Sequence, residues 1–133
     1  MKYLLDTHTF LWALLDTKEL GRKATEILIN KKNRCFLSIA SIWEISIKYR
    51  VGKLDFKNFK IDDMKMYCKR LGIDLLPITI EDTIQNTRLP LKDNHRDPFD
   101  RILIATAIRN GYTLLSKDSK FEQYMADGLQ LLW

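Results

Sequence analysis

The chain has 133 residues, 46% of them apolar, which is enough to build one compact core and excludes wholesale disorder. With 22 Lys and Arg against 17 Asp and Glu the net charge is +5, a surplus that tolerates a polyanionic partner without demanding one. Cys35 and Cys68, lacking CxxC spacing, exclude a disulfide framework and a cysteine-based zinc site, and read as buried thiols of a reducing cytosol.

In chain order, residues 2–5 predict a short buried strand ending at Asp6. The apolar start that contains it is broken by Asp6 and His8, and no A-x-A-like cleavage site follows, so it reads as part of the domain and not as a secretory signal. No run approaches the length of a membrane span, and a cytoplasmic location away from membranes is expected. Residues 7–15 and 22–32 predict helices, and residues 34–38 a second strand. Residues 39–51 predict a helix with Ile39, Trp43 and Ile47 on one stripe and Ile42, Ile45 and Tyr49 on another. A helix apolar around so much of its circumference is expected to be largely buried. A helix over 62–71 and a strand over 73–77 follow. Thr79 with Asp82 three residues on predicts a capping box opening a helix over 80–87. Residues 98–110 predict a very apolar helix, 112–115 a fourth strand, 118–127 an amphipathic helix and 129–132 a fifth strand. Gly52, Gly72, Gly111 and Gly128 follow helical stretches, where left-handed caps belong.

Short apolar strands alternating with helices define an α/β fold: a single domain over 1–133, with a central parallel sheet of about five strands covered by helices on both faces. Such sheets bind ligands beyond the carboxyl ends of their strands. Asp6 ends the first strand there, Glu44 lies almost two turns into the helix after the second, Asp97 and Asp100 open the apolar helix, and Ser116 and Asp118 end the fourth strand. Carboxylates gathered at one edge cannot all stay ionised unless a cation neutralises them. Oxygen-only ligands suit Mg²⁺ or Mn²⁺ better than zinc, and phosphodiester hydrolysis is the chemistry that fits. Each acid also has a structural explanation. Asp6, Asp97 and Asp118 are good N-caps, Asp97-Pro98 opening a helix with Asp100 at its third position, and Glu44 stands four residues before Lys48.

Other sites fare worse. Asp93, His95 and Asp97 have the spacing of a calcium loop, but Pro98 stands where Gly is needed and Ile104 where Glu is needed. His8 and His95 are too isolated for zinc and read as surface or capping groups. Ser38, Ser41 and Ser116 have no matched His–Asp pair, and no Walker A loop or GxGxxG is present.

Leu4-Leu5-Asp6-Thr7-His8, Trp43-Glu44-Ile45, His95-Arg96-Asp97-Pro98-Phe99-Asp100-Arg101 running into Ile104-Ala105-Thr106-Ala107, and Leu115-Ser116-Lys117-Asp118 before Phe121 resemble the PIN domain, and more closely the VapC-type toxins of bacterial toxin–antitoxin pairs. The resemblance covers essentially the whole chain, in order. It implies a Mg²⁺-dependent endoribonuclease, with Mn²⁺ as a substitute ion. Asp6, Glu44, Asp100 and Asp118 match the family's four acids, with Asp6 and Asp100 as direct metal ligands and Glu44 and Asp118 completing the pocket through water or a second ion. Asp97 is an additional acid, and Ser116 stands where the family places a hydroxyl that holds a water or a carboxylate.

The resemblance also implies an RNA substrate such as tRNA or another structured RNA, a small antitoxin partner whose arm enters the acidic groove, and a homodimer. Arg96, Arg101 and Lys117, with Lys120 and a second cluster of Lys48, Arg50 and Lys53, are the candidate phosphate contacts, and Arg101 is also placed to pair with an acid. Leu11 and Leu15 are expected in the core, Phe10 and Trp12 at an interface. A receiver-type signalling domain is disfavoured, because strand one ends in Asp-Thr-His and strand three at Pro77. A PIN-fold nuclease of RNA processing or of DNA, and a non-catalytic PIN-fold binding module, are the remaining alternatives, and RNA over DNA rests on the resemblance alone.

Overall fold

A computed structural model describes residues 1–54, 58–92 and 95–133. Asp93, part of the rejected calcium loop, lies outside them. Five parallel strands, β1 (Lys2–Leu5), β2 (Arg34–Ser38), β3 (Ile73–Leu76), β4 (Thr113–Leu115) and β5 (Gln130–Leu132), lie in the order β3-β2-β1-β4-β5. The connecting helices are α1 (Thr7–Leu15), α2 (Arg22–Ile29), α3 (Ile39–Arg50), α4 (Met64–Leu71), α5 (Ile80–Arg88) and α6 (Pro98–Asn110), with short 3-10 turns between some of them.

The two-residue period of the strands divides the core. Tyr3, Leu5, Cys35, Leu37, Ile73 and Leu115 point to one face, where Phe10, Leu11, Tyr67 and Cys68 of α1 and α4 cover them. Leu4, Phe36 and Leu114 point to the other, under Leu103, Ile104 and Ala107 of α6. This is the predicted parallel sheet with helices on both faces. Cys35 and Cys68 are unpaired and buried in the first layer, and burial pushes the Cys35 thiol up to about 11, which makes it inert. Among the described residues no helix is long and apolar enough to cross a membrane.

Where boundaries differ from expectation, local hydrogen bonds decide them. Helix α2 ends at Ile29 and not at residue 32, because Asn30 turns the chain: its side chain accepts from the Lys32 N–H and its carbonyl from the Asn33 N–H. Tyr112 and Leu129 do not join their strands, since their N–H groups cap Ala107 and Tyr124 at the ends of the preceding helices. Gly111 takes the left-handed conformation (φ 68°) that closes α6 there, and the other three glycines expected to cap also have positive φ. Residues Ser119–Asp127 form 3-10 turns. Phe121 and Tyr124, three apart, then share one face and both bury.

Two burial expectations are corrected. Helix α3 buries only Ala40, Ser41, Glu44 and Ile45. Ile39, Trp43 and Ile47 stay exposed, Trp43 by 60% even with its ring edge-on to Phe99, because they lie off the side of the helix that packs into the core. Phe10 is fully buried under the sheet and belongs to the core, not to an interface. Leu11 and Leu15 pack in the core as expected, and Trp12 is half-buried.

Candidate metal and nucleic-acid site

The chain runs outward from β1 through β2 to β3, then crosses back to β4 on the other side of β1. The carboxyl ends of β1 and β4 therefore form a topological switch point, the usual ligand crevice of such sheets. The backbone N–H of Asp6 donates to the Leu115 carbonyl across that junction (3.2 Å), and the Thr9 hydroxyl donates to the same carbonyl (2.9 Å).

Asp6 caps α1. Its Oδ1 accepts from the Thr9 N–H (2.8 Å) and its Oδ2 from the Ser116 hydroxyl (2.5 Å). Ser116 Oγ in turn accepts from the Asp118 N–H (3.1 Å), so one hydroxyl joins the ends of both strands. Burial pushes the Asp6 carboxyl above its ordinary value, while the hydrogen bonds from Ser116 and Thr9 act to hold it down. Asp118 is exposed and caps the 3-10 turns, accepting from the Lys120 N–H (2.9 Å).

Glu44 is buried, and two neighbours hold it. The Thr7 hydroxyl donates to Oε1 (2.6 Å) and Lys48 Nζ lies 2.9 Å from Oε2. The i,i+4 pairing forms because the exposed side of α3 leaves Lys48 room beside Glu44. Asp97 caps α6 with its Oδ1 on the Asp100 N–H (3.0 Å) and Pro98 behind it, as the sequence predicted. Burial raises the Asp100 carboxyl to about 6, the negative charges of Asp97 and Glu44 add to this, and His95 opposes them. Five of the acids and hydroxyls singled out in the sequence thus form two linked groups: Asp6, Ser116 and Asp118 at the β1/β4 junction, and Glu44 with Asp100 on facing helices. Thr7, next to Asp6, connects them.

His95 is the residue that sequence reasoning missed. It is 3% exposed and not a surface group. Nε2 lies 2.8 Å from Asp100 Oδ2, and the ring stands edge-on to Phe121 (5.3 Å) and Tyr124 (5.4 Å), whose hydroxyl donates to the His95 carbonyl (3.3 Å). Nδ1 is buried with no hydrogen-bond partner among the described residues. The proton therefore belongs on Nε2, as a donor to Asp100. The signals in the sequence were its five-residue spacing from Asp100 and its place at the head of the segment running to Arg101.

Arg101 engages backbone carbonyls. Its buried guanidinium donates to the carbonyls of Asn86 (3.3 Å), Leu89 (3.1 Å) and Pro90 (3.0 Å), clamping the end of α5. One helical step from Asp100 turns it about 100° away, and among the described residues it makes no ion pair with a carboxylate, lining instead the cleft between α5 and the start of α6. Lys117 and Arg96 are exposed, and Lys117 Nζ lies 5.7 Å from the Trp12 ring centre. Arg96 lines a cleft of about 380 Å³ between α5 and the start of α6.

Among the described residues no three His, Cys, Asp or Glu side chains are grouped closely enough to hold a metal ion by themselves. The donors still fit a hard cation in kind. They are all carboxylate oxygens, and burial disfavours the charge on two of them, Asp6 and Asp100. Mg²⁺ is ordinarily held by one or two carboxylates and keeps several waters, so a closed protein cage is not what it needs.

The chain belongs to the PIN domain family, which matches over residues 3–126. A comparison with curated proteins finds no match. Among solved structures, VapBC2 from Rickettsia felis bound to a DNA fragment from its promoter aligns with a TM-score of 0.69 at 19% identity, over 99% of this chain and 98% of that one. A DNA-bound VapBC from Salmonella typhimurium gives 0.68 at 14% identity, over 99% and 97%. VapBC-5 from Mycobacterium tuberculosis, a member of the VapBC family of toxin–antitoxin systems, gives 0.60 at 19%, over 98% and 97%. At these identities the likeness establishes a common fold.

Proposed function

We propose that residues 1–133 are a single nuclease domain, a Mg²⁺-dependent endoribonuclease that acts as the VapC-type toxin of a toxin–antitoxin pair in the cytoplasm. PIN domain membership and the toxin–antitoxin complexes among the structural neighbours support this reading. The observation that carries it is buried Asp6, at the crevice where such a sheet binds ligands, with its carboxyl raised by burial as is that of the half-buried Asp100.

Asp6 and Asp100 would hold the ion, with Glu44 and Asp118 around it. A divalent cation bound there supplies positive charge to a phosphoryl group and acidifies water at neutral pH. The chain's own residues do the positioning. Thr9 and Ser116 fix both oxygens of Asp6. Thr7 and Lys48 hold Glu44, and His95 holds Asp100. Asp100 must be deprotonated to hold a cation, which ties the activity to pH. Lys117 and Arg96 are the exposed charges that would engage the RNA backbone.

The antitoxin and a second copy of the chain complete the proposal. An apolar groove of about 210 Å³ between α1, α2 and the start of β3, lined by Leu20, Leu28, Ile29 and Leu71, suits an antitoxin helix. The exposed Ile39, Trp43 and Ile47 of α3 suit a homodimer contact.

The test is incubation of a mixed RNA pool with the purified chain, in Mg²⁺ and then in EDTA, beside Asp6→Asn. Discrete fragments that require both the ion and Asp6 are expected. Cleavage that persists in EDTA, or equally with Asp6→Asn, would overturn the reading, and cleavage of DNA in place of RNA would correct its substrate.

A further inference from the structure

Beside Asp6 lies a cleft of about 250 Å³ lined by Asp6, His8, Trp12, Lys117 and Asp118. Its wall is aromatic. Trp12 is half-buried on α1, its ring centre 5.7 Å from that of His8 one turn earlier and 5.6 Å, edge-on, from Trp133 near the end of β5. The Trp133 ring lies so close to Gly21 that a Cβ there would stand 2.7 Å from it, so glycine at that position leaves the room the ring occupies behind the aromatic wall. Lys117 Nζ lies 5.7 Å from the centre of the Trp12 ring. None of these groups is needed to arrange the acids.

From this geometry we infer that the cleft is a nucleotide subsite: an unpaired base of the strand being cut stacks on Trp12, flanked by His8, and Lys117 meets the adjoining phosphate. The inference rests on the nuclease reading and adds the means by which the strand is held. Three features select a nucleotide over other occupants. The cleft is continuous with the Asp6 carboxylate, so a base seated there brings its own phosphate toward the acids. An uncharged base tolerates the two carboxylates that a second phosphate would not. A lysine above an indole face is readily displaced by a flat base, and its ammonium is then available to a phosphate oxygen. Stacking on an aromatic ring accepts any base, so the subsite favours single-stranded or loop nucleotides over a paired helix.

The experiment is titration of the intact chain with a short unstructured oligoadenylate in EDTA, following tryptophan fluorescence, with an abasic strand of equal length as the second probe. Fragment formation from a mixed RNA pool in Mg²⁺ is recorded separately. Quenching by the oligoadenylate and not by the abasic strand is expected. Read by the anisotropy of a fluorescein-labelled oligoadenylate, since both variants lack the reporting indole, Trp12→Leu is expected to weaken binding by roughly ten- to a hundred-fold, and Trp12→Phe to restore most of it. The abasic comparison uses the unaltered protein, so it stands even if Trp12→Leu folds poorly. Equal binding of both strands, or unchanged binding by a folded Trp12→Leu, would overturn the subsite and leave the cleft to a protein partner. Cleavage in Mg²⁺ alongside either result would show that the nuclease reading survives. Base-dependent quenching without any cleavage would overturn the nuclease reading and keep the subsite.

Discussion

Asp100 shows how one carboxyl serves structure and chemistry in opposite senses. Its folded-state pKa is about 6, against 3.8 for the unperturbed group. Between those values the folded chain holds a proton that the unfolded chain has released. The group's contribution to stability therefore declines as pH rises through that window and is lowest above it. Asp100→Asn removes the charge and keeps an oxygen for His95 Nε2. In EDTA at pH 7.5 it is expected to raise the unfolding free energy by about 1–3 kcal/mol, an advantage that fades below pH 5 and is read by urea titration at both pH values. A variant less stable than the parent at pH 7.5 would mean that the carboxylate is already compensated in the metal-free chain. The capping roles of Asp6, Asp97 and Asp118 were legible in the sequence, since each depends only on an N–H two or three residues ahead. The His95 contact was not, because it depends on how the chain before α6 folds back over Phe121 and Tyr124.

At the scale of elements, α5 and α6 are joined by two guanidinium groups. Arg109 Nε reaches the buried Asp82 carboxylate (2.8 Å), itself half of the capping box with Thr79 that the sequence predicted. Arg101 clamps three carbonyls at the other end of α5. Arg101→Met leaves those acceptors without their donor, and a loss of about 2–3 kcal/mol in unfolding free energy is expected, measured by urea titration. RNA affinity below the unfolding transition should hardly change. A variant of normal stability that binds RNA poorly would place Arg101 on the phosphate path. Charge alone could not distinguish Arg101 from the exposed Lys117, because rotation about the axis of α6 decides where the Arg101 guanidinium points. The same limit applies to α3: its apolar stripes were plain, but which stripe meets the sheet depends on the angle at which the helix leaves β2.

Across the whole molecule, the alternation of short apolar strands with helices was sufficient to predict a parallel sheet, and the strand-end positions of the acids followed from that. What the alternation left open was the strand order. The return of the chain from β3 to β4 places Asp6 next to Ser116 and Asp118, far apart in sequence and joined by one hydroxyl. The same crossover sets α6 against α3, where Trp43 and Phe99 meet edge-on at 5.1 Å, and so brings Asp100 within electrostatic reach of Glu44. We propose that this convergence is a divalent-cation centre. Calorimetric titration of Mn²⁺ into the chain at pH 7.5, beside Asp6→Asn and Asp100→Asn, tests it most directly. Saturable binding that weakens at least about ten-fold in each variant is predicted. Equal binding by all three proteins, or none by the parent chain, would contradict it.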